Sequence, residues 1–321
     1  MNKLKIIIKR LWFILLAGIA FIMVFIISVN YNISNLFGGM PSLQDLEKPE
    51  SELSSELYSS DNILLGKYFR YNRSPVKFDE LSDELVTTLL VTEDIRFYEH
   101  SGIDLKGLVR ATYGVVKNVA TFGSSGLEGG GSTITQQLAK NLFKIRREKK
   151  GTLSNVPFLG LIISKVKEWI VAVKLEEFYT KKEILAMYLN TAEYGSNSYG
   201  IKVAAKTYFD KDPSELNYNE SSIIVGLLNK PTKYNPFFNP ENATEKRSEI
   251  FYNLYKYNIV NKTEYDSLIL TNLNLNYKVQ NQNVGQATYF RTVVRNYLIS
   301  WAKENGYDLF SDGLKIYTTI D

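Results

Sequence analysis

The sequence predicts a mainly α-helical protein with a small N-terminal β-hairpin, preceded by one transmembrane helix. An uncharged apolar run near the N-terminus is long enough to span a bilayer. Two short apolar-rich runs on either side of Ser59-Ser60-Asp61-Asn62 indicate a hairpin within residues 53–72. From Glu80 onward, apolar residues recur at helical spacing, as in the stripe that contains Leu85 and Leu89.

The membrane segment follows a basic N-terminus. Residues 1–10 carry four cations, and residues 11–29 form an apolar run of about 19 residues that spans about 28 Å as a helix. The next basic residue is Lys48, so the positive-inside rule places residues 1–10 in the cytoplasm and the rest of the chain outside. A cleaved signal peptide is the alternative, but the run is longer than a usual signal core and no small-x-small site follows it. Polar residues 30–52 then suggest a short stalk.

Composition excludes several kinds of site. The chain has 321 residues, which suits one large domain or two modest ones. Its net charge of +4 favours an anionic membrane surface or a phosphate ligand and is too small to indicate nucleic acid. The chain has no Cys, which excludes disulfides and thiol nucleophiles, and its single His, His100, excludes a multi-His metal site.

Segments closer to the C-terminus predict two further helices and a strand. Thr180-Lys181-Lys182-Glu183 is a capping box that opens a helix, and residues 245–258 also have a helical pattern. Alternating apolar residues at 314, 316 and 318 predict a strand near the C-terminus. No closing element follows that strand, so we expect it to begin a larger structure.

The first chemical motif runs from Glu93 to Gly102. On a helix, Glu93, Phe97 and His100 would share one face, since they lie at i, i+4 and i+7. Glu93 and Asp94 are adjacent carboxylates at the end of an apolar helix, which makes burial costly and favours a cleft. The alternative is a solvated helix end that His100 caps.

The second motif runs from Gly129 to Asn141. Glycines followed by Ser132 and Thr133 at a helix start predict free backbone N–H groups that suit phosphate oxygens. Thr133 and Gln136 can form a capping pair. The helix would then carry a polar stripe of Thr133, Gln137, Lys140 and Asn141. An ordinary capped surface helix is the alternative.

A third motif contains Lys165 and Glu168, which share a helical face with the small residue Ala172. From this segment alone, an exposed surface ion pair is the favoured interpretation. The S-x-x-K string that begins at Ser74 has no K-T-G partner, so we interpret it as chance.

Together these strings resemble the glycosyltransferase domain of class A penicillin-binding proteins, a family that also occurs as monofunctional transglycosylases. The resemblance runs from about residue 41 to 243 and beyond. It rests on E-D-x-x-F-x-x-H-x-G from Glu93, on G-x-S-T-I-T-Q-Q-x-x-K-N from Gly130, and on K-x-x-I-x-x-x-Y-x-N from Lys181. Residues 246–251 are a looser version of its R-R-x-x-V-L, and residues 313–321 resemble the passage into the transpeptidase domain.

Two features depart from the family pattern. Ser164 stands where the R-K-x-x-E motif has Arg, which removes one cation, and Arg146 or Arg147 is a candidate replacement. The connection from Phe143 to Ser164 is also about ten residues longer than is usual in the family.

The resemblance implies a lysozyme-like, two-lobed glycosyltransferase domain over residues 53–260, followed at 261–321 by a linker and the possible start of a transpeptidase domain. The protein would be a single-pass protein of the bacterial inner membrane with an extracytoplasmic catalytic domain. Its partners would be lipid II, the growing glycan chain, membrane lipid and other cell-wall synthesis proteins, with no nucleic acid.

The implied reaction joins lipid II to a glycan strand through an inverted, β-1,4 linkage and releases undecaprenyl diphosphate. Glu93 would be the general base for the acceptor hydroxyl, and Glu168 would support the departing diphosphate. No cofactor is required, although a divalent cation, Mg²⁺ or Mn²⁺, could sit at the diphosphate. The implied substrate-binding residues are Asp94, Phe97, His100, Ser132, Thr133, Gln136, Gln137, Lys140, Asn141 and Lys165.

Two other functions stay open at this point. A glycan-cleaving, lysozyme-like enzyme also uses two carboxylates, but it has no diphosphate to hold with basic residues. A non-catalytic scaffold for cell-wall assembly would fit the loss of the Arg at Ser164, whereas the presence of both Glu93 and Glu168 argues against it.

Overall fold

The computed structural model describes residues 2–42, 45–46, 54–68, 75–120, 131–143, 151–156, 158–278 and 287–321. These residues form a mainly helical protein, as predicted. The helices are α1 (Asn2–Asn30), α2 (Asp83–Glu93), α3 (Leu105–Ala120), α4 (Ile134–Leu142), α5 (Leu159–Phe178), α6 (Lys181–Thr191), α7 (Ile201–Phe209), α8 (Tyr218–Asn229), α9 (Pro240–Lys256), α10 (Lys262–Leu270) and α11 (Thr288–Glu304).

Helix α1 contains the whole apolar run predicted at residues 11–29. Its length and composition are sufficient to cross a membrane, and its side chains are largely exposed. An apolar helix without a protein covering is stable where lipid replaces water around it.

A small sheet contains the predicted hairpin. Strands β1 (Ser55–Tyr58) and β2 (Leu64–Tyr68) pair antiparallel, with Leu57 opposite Gly66. Strand β3 (Lys315–Tyr317) lies parallel to β1 on its other edge, so the order is β2-β1-β3. The predicted C-terminal strand is confirmed, and it pairs with β1. Its partner is a strand about 260 positions earlier, which local patterning cannot reveal.

The chain divides into two compact units. The first consists of Met1–Pro49, Ser101–Ile103 and Thr135–Phe178. Within it, the end of α1 packs against α5 around a cluster that includes Val29, Ile163 and Val166.

The second unit consists of Glu50–His100, Asp104–Ile134 and Tyr179–Asp321. Its main core lies where α2, α8 and α9 pack together, with Leu89, Ile224 and Phe251 fully buried. A separate small core joins the hairpin to α11 through Leu57, Tyr68, Leu298 and Ala302. The hairpin and the C-terminal segment thus share one core within this unit.

The predicted capping box at α6 is confirmed. The Thr180 side chain accepts from the Glu183 backbone N–H, and the Glu183 carboxylate accepts from the Thr180 backbone N–H. This reciprocal pair satisfies two donors at the helix start. It determines where α6 begins and therefore places Lys181 in the first turn.

Candidate active site

Glu93 is the last residue of α2, and its side chain is half-buried. Ser82 begins this helix as its N-cap by accepting from the Leu85 backbone N–H at 3.2 Å. The helix ends because Asp94 takes φ −158° and ψ 74°, outside the helical region. The shared helical face that we expected for Glu93, Phe97 and His100 is therefore not formed, because the chain leaves the helix before Phe97.

Asp94 is buried behind the end of α2, at 7% exposure. Its Oδ2 accepts a hydrogen bond from the Ile134 backbone N–H at 3.1 Å, and both of its carboxylate oxygens lie 3.2 Å from His100 Nε2. The solvated helix end that we considered for this segment is therefore wrong. Asp94 and His100 contact each other and the start of α4.

Phe97 is fully buried beside these two residues, and the ammonium group of Lys181 lies over its ring. Lys181 Nζ lies 4.2 Å from the Phe97 ring centroid and donates to the His100 carbonyl oxygen at 2.6 Å. A Lys ammonium attracted by a ring face and by a carbonyl oxygen holds both groups in place. Sequence reasoning noted Lys181 as a family match, but it did not predict this role.

Tyr188, about two turns after Lys181 on α6, is almost fully buried. Burial raises the pKa of its phenol well above the ordinary value, and the charge of Glu93 raises that pKa further. Tyr188 consequently stays protonated at neutral pH, close enough to Glu93 to sense its charge. Only the family string pointed to this residue.

Helix α4 buries part of the second motif. Thr133 and Gln136 are buried, Ser132, Gln137 and Lys140 are half-buried, and Asn141 is exposed. The apolar stripe is confirmed, because Ile134 and Leu138 are fully buried. The prediction of free N–H groups at the helix start is wrong for Ile134, because Asp94 already accepts from it.

Gln136 ties α4 to the end of the first motif by donating to the Gly102 carbonyl oxygen at 3.2 Å. Gly102 has φ +85°, and a Cβ atom there would lie 2.8 Å from the Ala172 backbone of α5. Only glycine allows both this backbone conformation and this close approach. The Ala172 backbone of α5 therefore packs directly against Gly102.

On α5, Lys165 Nζ lies 2.7 Å from Glu168 Oε2. The predicted pair forms, but the interpretation as an exposed surface pair is wrong, because the Glu168 side chain is 1% exposed and that of Lys165 is 36% exposed. A carboxylate so deeply buried needs its charge offset. Ser164, which replaces the family Arg, donates its hydroxyl to the Gly160 carbonyl oxygen one turn earlier.

The two units divide the candidate residues. Glu93, Asp94, Phe97, His100, Ser132 and Thr133 belong to the second unit, while Gln136, Gln137, Lys140, Asn141, Lys165 and Glu168 belong to the first. Gly129, Gly130, Arg146, Arg147 and Ser74, which the sequence analysis singled out, lie outside the described residues. Among the described residues, no group of three or more His, Asp or Glu side chains could hold a metal ion.

Comparisons with known proteins agree with these motifs. A family model described as Transglycosylase matches residues 61–255. The chain is 32% identical over 281 residues to penicillin-binding protein 1A of Escherichia coli, which covers 88% of this chain and 30% of that protein. It is 33% identical to penicillin-binding protein 1A of Aquifex aeolicus, over 89% of this chain and 36% of that protein. The chain thus spans about a third of the length of these relatives.

A crystal structure of penicillin-binding protein 1A from Haemophilus influenzae aligns with 84% of this chain and 27% of its own, at 21% identity and a TM-score of 0.45. The family match covers more than half of the chain and includes all three motifs that carry candidate site residues. This chain belongs to the transglycosylase family.

Proposed function

We propose that this protein is a peptidoglycan glycosyltransferase that polymerises lipid II into β-1,4-linked glycan strands and releases undecaprenyl diphosphate. The observation that carries the proposal is the family match over residues 61–255, which contains Glu93 in a complete local motif and Glu168 in a motif that departs from the family pattern at Ser164. The apolar helix α1 supports it, because an enzyme with lipid-linked substrates works at a membrane surface.

Glu93 has the chemistry for a general base. A half-buried carboxylate at a helix end can accept the proton of the acceptor sugar's 4-hydroxyl when that hydroxyl is within hydrogen-bond reach. Removing the proton strengthens the oxygen as a nucleophile toward the anomeric carbon. Attack from the face opposite the diphosphate inverts the anomeric centre, so the α-linked donor becomes a β-1,4 bond.

Lys165 and Glu168 have the chemistry for the leaving-group side. The Lys165 ammonium offsets the charge that builds on the departing diphosphate, and Glu168 orients that ammonium through their 2.7 Å contact. Lys140 on α4 supplies a second cation. Since Lys165 already neutralises Glu168, the reaction needs no divalent cation at this carboxylate.

Several other candidate residues position the segment that follows Glu93. Asp94 and His100 orient the chain after Glu93, while Phe97 and Lys181 hold that segment from behind. Asp94 is therefore a positioning residue in this mechanism. The remaining polar residues of α4, Gln137 and Asn141, contribute side chains that suit sugar hydroxyls.

A gel assay with fluorescent lipid II tests the proposal. The chain, solubilised in detergent, should convert lipid II into a ladder of glycan strands, and Glu93→Gln should abolish the ladder while leaving the fold intact. Glu99→Gln is the matched control, because Glu99 is an exposed carboxylate of the same motif. Absence of a ladder from the folded native chain would overturn the proposed activity, and a normal ladder from Glu93→Gln would overturn the assigned base.

A further inference from the structure

The chain that follows α1 folds back onto α5. Val29 and Phe37 are buried against Ile163 and Val166 of α5, with Trp169 at the edge of the same cluster. Because this apolar cluster joins the end of α1 to α5 through several side chains, it resists hinge motion at the end of α1. The segment that we predicted to be a short stalk thus begins with residues packed on the helix that carries Glu168.

Two lysines of α5 reinforce the contact. Lys174 Nζ donates to Asn30 Oδ1 at 3.3 Å, at the last residue of α1. Lys167 Nζ donates to the Gly39 carbonyl oxygen at 3.2 Å, and Lys167 is only 3% exposed. Burying an ammonium costs free energy that such contacts must offset. Lys167 thus contacts the chain after α1 from a buried position.

The long connection before α5 also contacts the chain that leaves α1. The Leu153 backbone N–H donates to the Leu36 carbonyl oxygen at 2.9 Å, and the Ser154 hydroxyl donates to the Phe37 carbonyl oxygen at 3.0 Å. Gly151 lies so close to Gly38 that a Cβ atom added to Gly151 would come within 2.2 Å of the Gly38 backbone nitrogen. Residues 153 and 154 of the connection are thus hydrogen-bonded to the chain that leaves α1.

We propose that these contacts form an anchor clamp, defined as Asn30, Phe37, Gly39, Leu153 and Lys167, that holds α5 at a set angle and height to the membrane helix. Lys167 is then a positioning residue for its neighbours Lys165 and Glu168, a role that rests on the proposed function. The lipid tail holds the donor diphosphate near the bilayer surface. Misplacement of a catalytic group by about 1 Å can lower the rate about a hundredfold. A rigid link between α1 and α5 therefore favours catalysis, because it holds Lys165 and Glu168 in place relative to the membrane helix.

Spin labels measure the clamp without reference to activity. The chain has no Cys, so Leu11→Cys on α1 and Glu177→Cys near the end of α5 give a uniquely labelled pair. In lipid nanodiscs we expect one narrow distance distribution. Adding Lys167→Met, or the milder Asn30→Ala, should broaden that distribution, whereas Lys303→Met on α11 should leave it unchanged.

Kinetics test the positioning role. With full-length lipid II in nanodiscs, Lys167→Met should lower kcat by about tenfold to a hundredfold with little change in KM. With a water-soluble lipid II analogue of short chain, whose diphosphate is not held at a bilayer, the same variant should approach the native rate. A general folding defect would lower both rates, so the ratio of the two rates isolates positioning.

The outcomes separate the two proposals. A broad distribution in the native chain, or no broadening in either variant, overturns the clamp. Equal losses with both substrates, or no loss with either, overturn the positioning role of Lys167. A narrow native distribution in a chain that forms no glycan from either substrate would leave the clamp standing and overturn the proposed function.

Discussion

Asp94 Oδ2 accepts a hydrogen bond from the Ile134 backbone N–H at 3.1 Å, across 40 positions of the chain. The bond joins the chain after Glu93 to the first helical residue of α4. A carboxylate at a helix N-terminus also interacts favourably with the helix dipole. The first two family motifs are therefore connected directly. The Ile134 backbone N–H, one of the groups predicted to bind phosphate, donates instead to the buried Asp94 carboxylate.

We expect Asp94→Asn to destabilise the protein by about 1–3 kcal/mol, because the substitution removes a charged, buried acceptor of two hydrogen-bonding groups. Thermal unfolding in detergent should show a correspondingly lower Tm. Asp79→Asn is the control, since Asp79 is exposed, and it should change Tm by much less. Equal Tm values for the two variants would contradict the structural role of Asp94.

The Lys165–Glu168 pair should show a clear coupling energy. In a double-mutant cycle with Lys165→Met and Glu168→Gln, we expect about 1–3 kcal/mol of coupling in unfolding free energy, because Glu168 is buried while Lys165 is partly exposed. The pair Lys246–Glu249 has the same i,i+3 spacing but an exposed carboxylate. Its cycle should give less than about 1 kcal/mol. Coupling no larger than in this control would argue against a special environment at Glu168.

Chelation tests the prediction that no divalent cation is required. Because the Lys165 ammonium already lies 2.7 Å from Glu168, we expect EDTA to change the rate of lipid II polymerisation by less than about twofold. The measurement is the initial rate with EDTA and then with added Mg²⁺ or Mn²⁺. A large loss that Mg²⁺ or Mn²⁺ restores would show that a cation takes part.

The Arg96–Asp104 pair predicts an acid-sensitive contribution to stability at the start of α3. Burial acts to raise the pKa of Asp104, but hydrogen bonds from Arg96 and from the Gly107 backbone N–H outweigh it and lower the pKa. A carboxyl with a depressed folded pKa stabilises the protein above its unfolded pKa, and the stabilisation is lost as pH falls through the folded pKa.

Asp104→Asn should therefore lower Tm at pH 7, by an amount that corresponds to about 1 kcal/mol, and the difference from the native chain should shrink below about pH 4. Thermal unfolding at pH 7 and at pH 3 measures this. Asp266→Asn, in the exposed Lys262–Asp266 pair, is the control and should have little effect at either pH. A difference that grows toward pH 3 would show the wrong sign for Asp104.

Local chemistry made much of the fold predictable. The apolar helix α1, the hairpin, the capping box at Thr180 and the family strings each depend on residues that are neighbours in sequence. Their periodicity and caps are visible within short windows. The family strings also identified Glu93 and Glu168, whose detailed roles stay predictions.

Contacts between distant residues could not be inferred in this way. No local pattern indicates that Asp94 binds Ile134, that Lys181 covers Phe97, or that β3 pairs with β1. Burial likewise depends on the whole fold, so the sequence favoured an exposed Lys165–Glu168 pair although Glu168 is enclosed. The chemistry of each group can be recognised from its residue type, whereas its partner and its exposure follow from how the packed helices bring remote segments together.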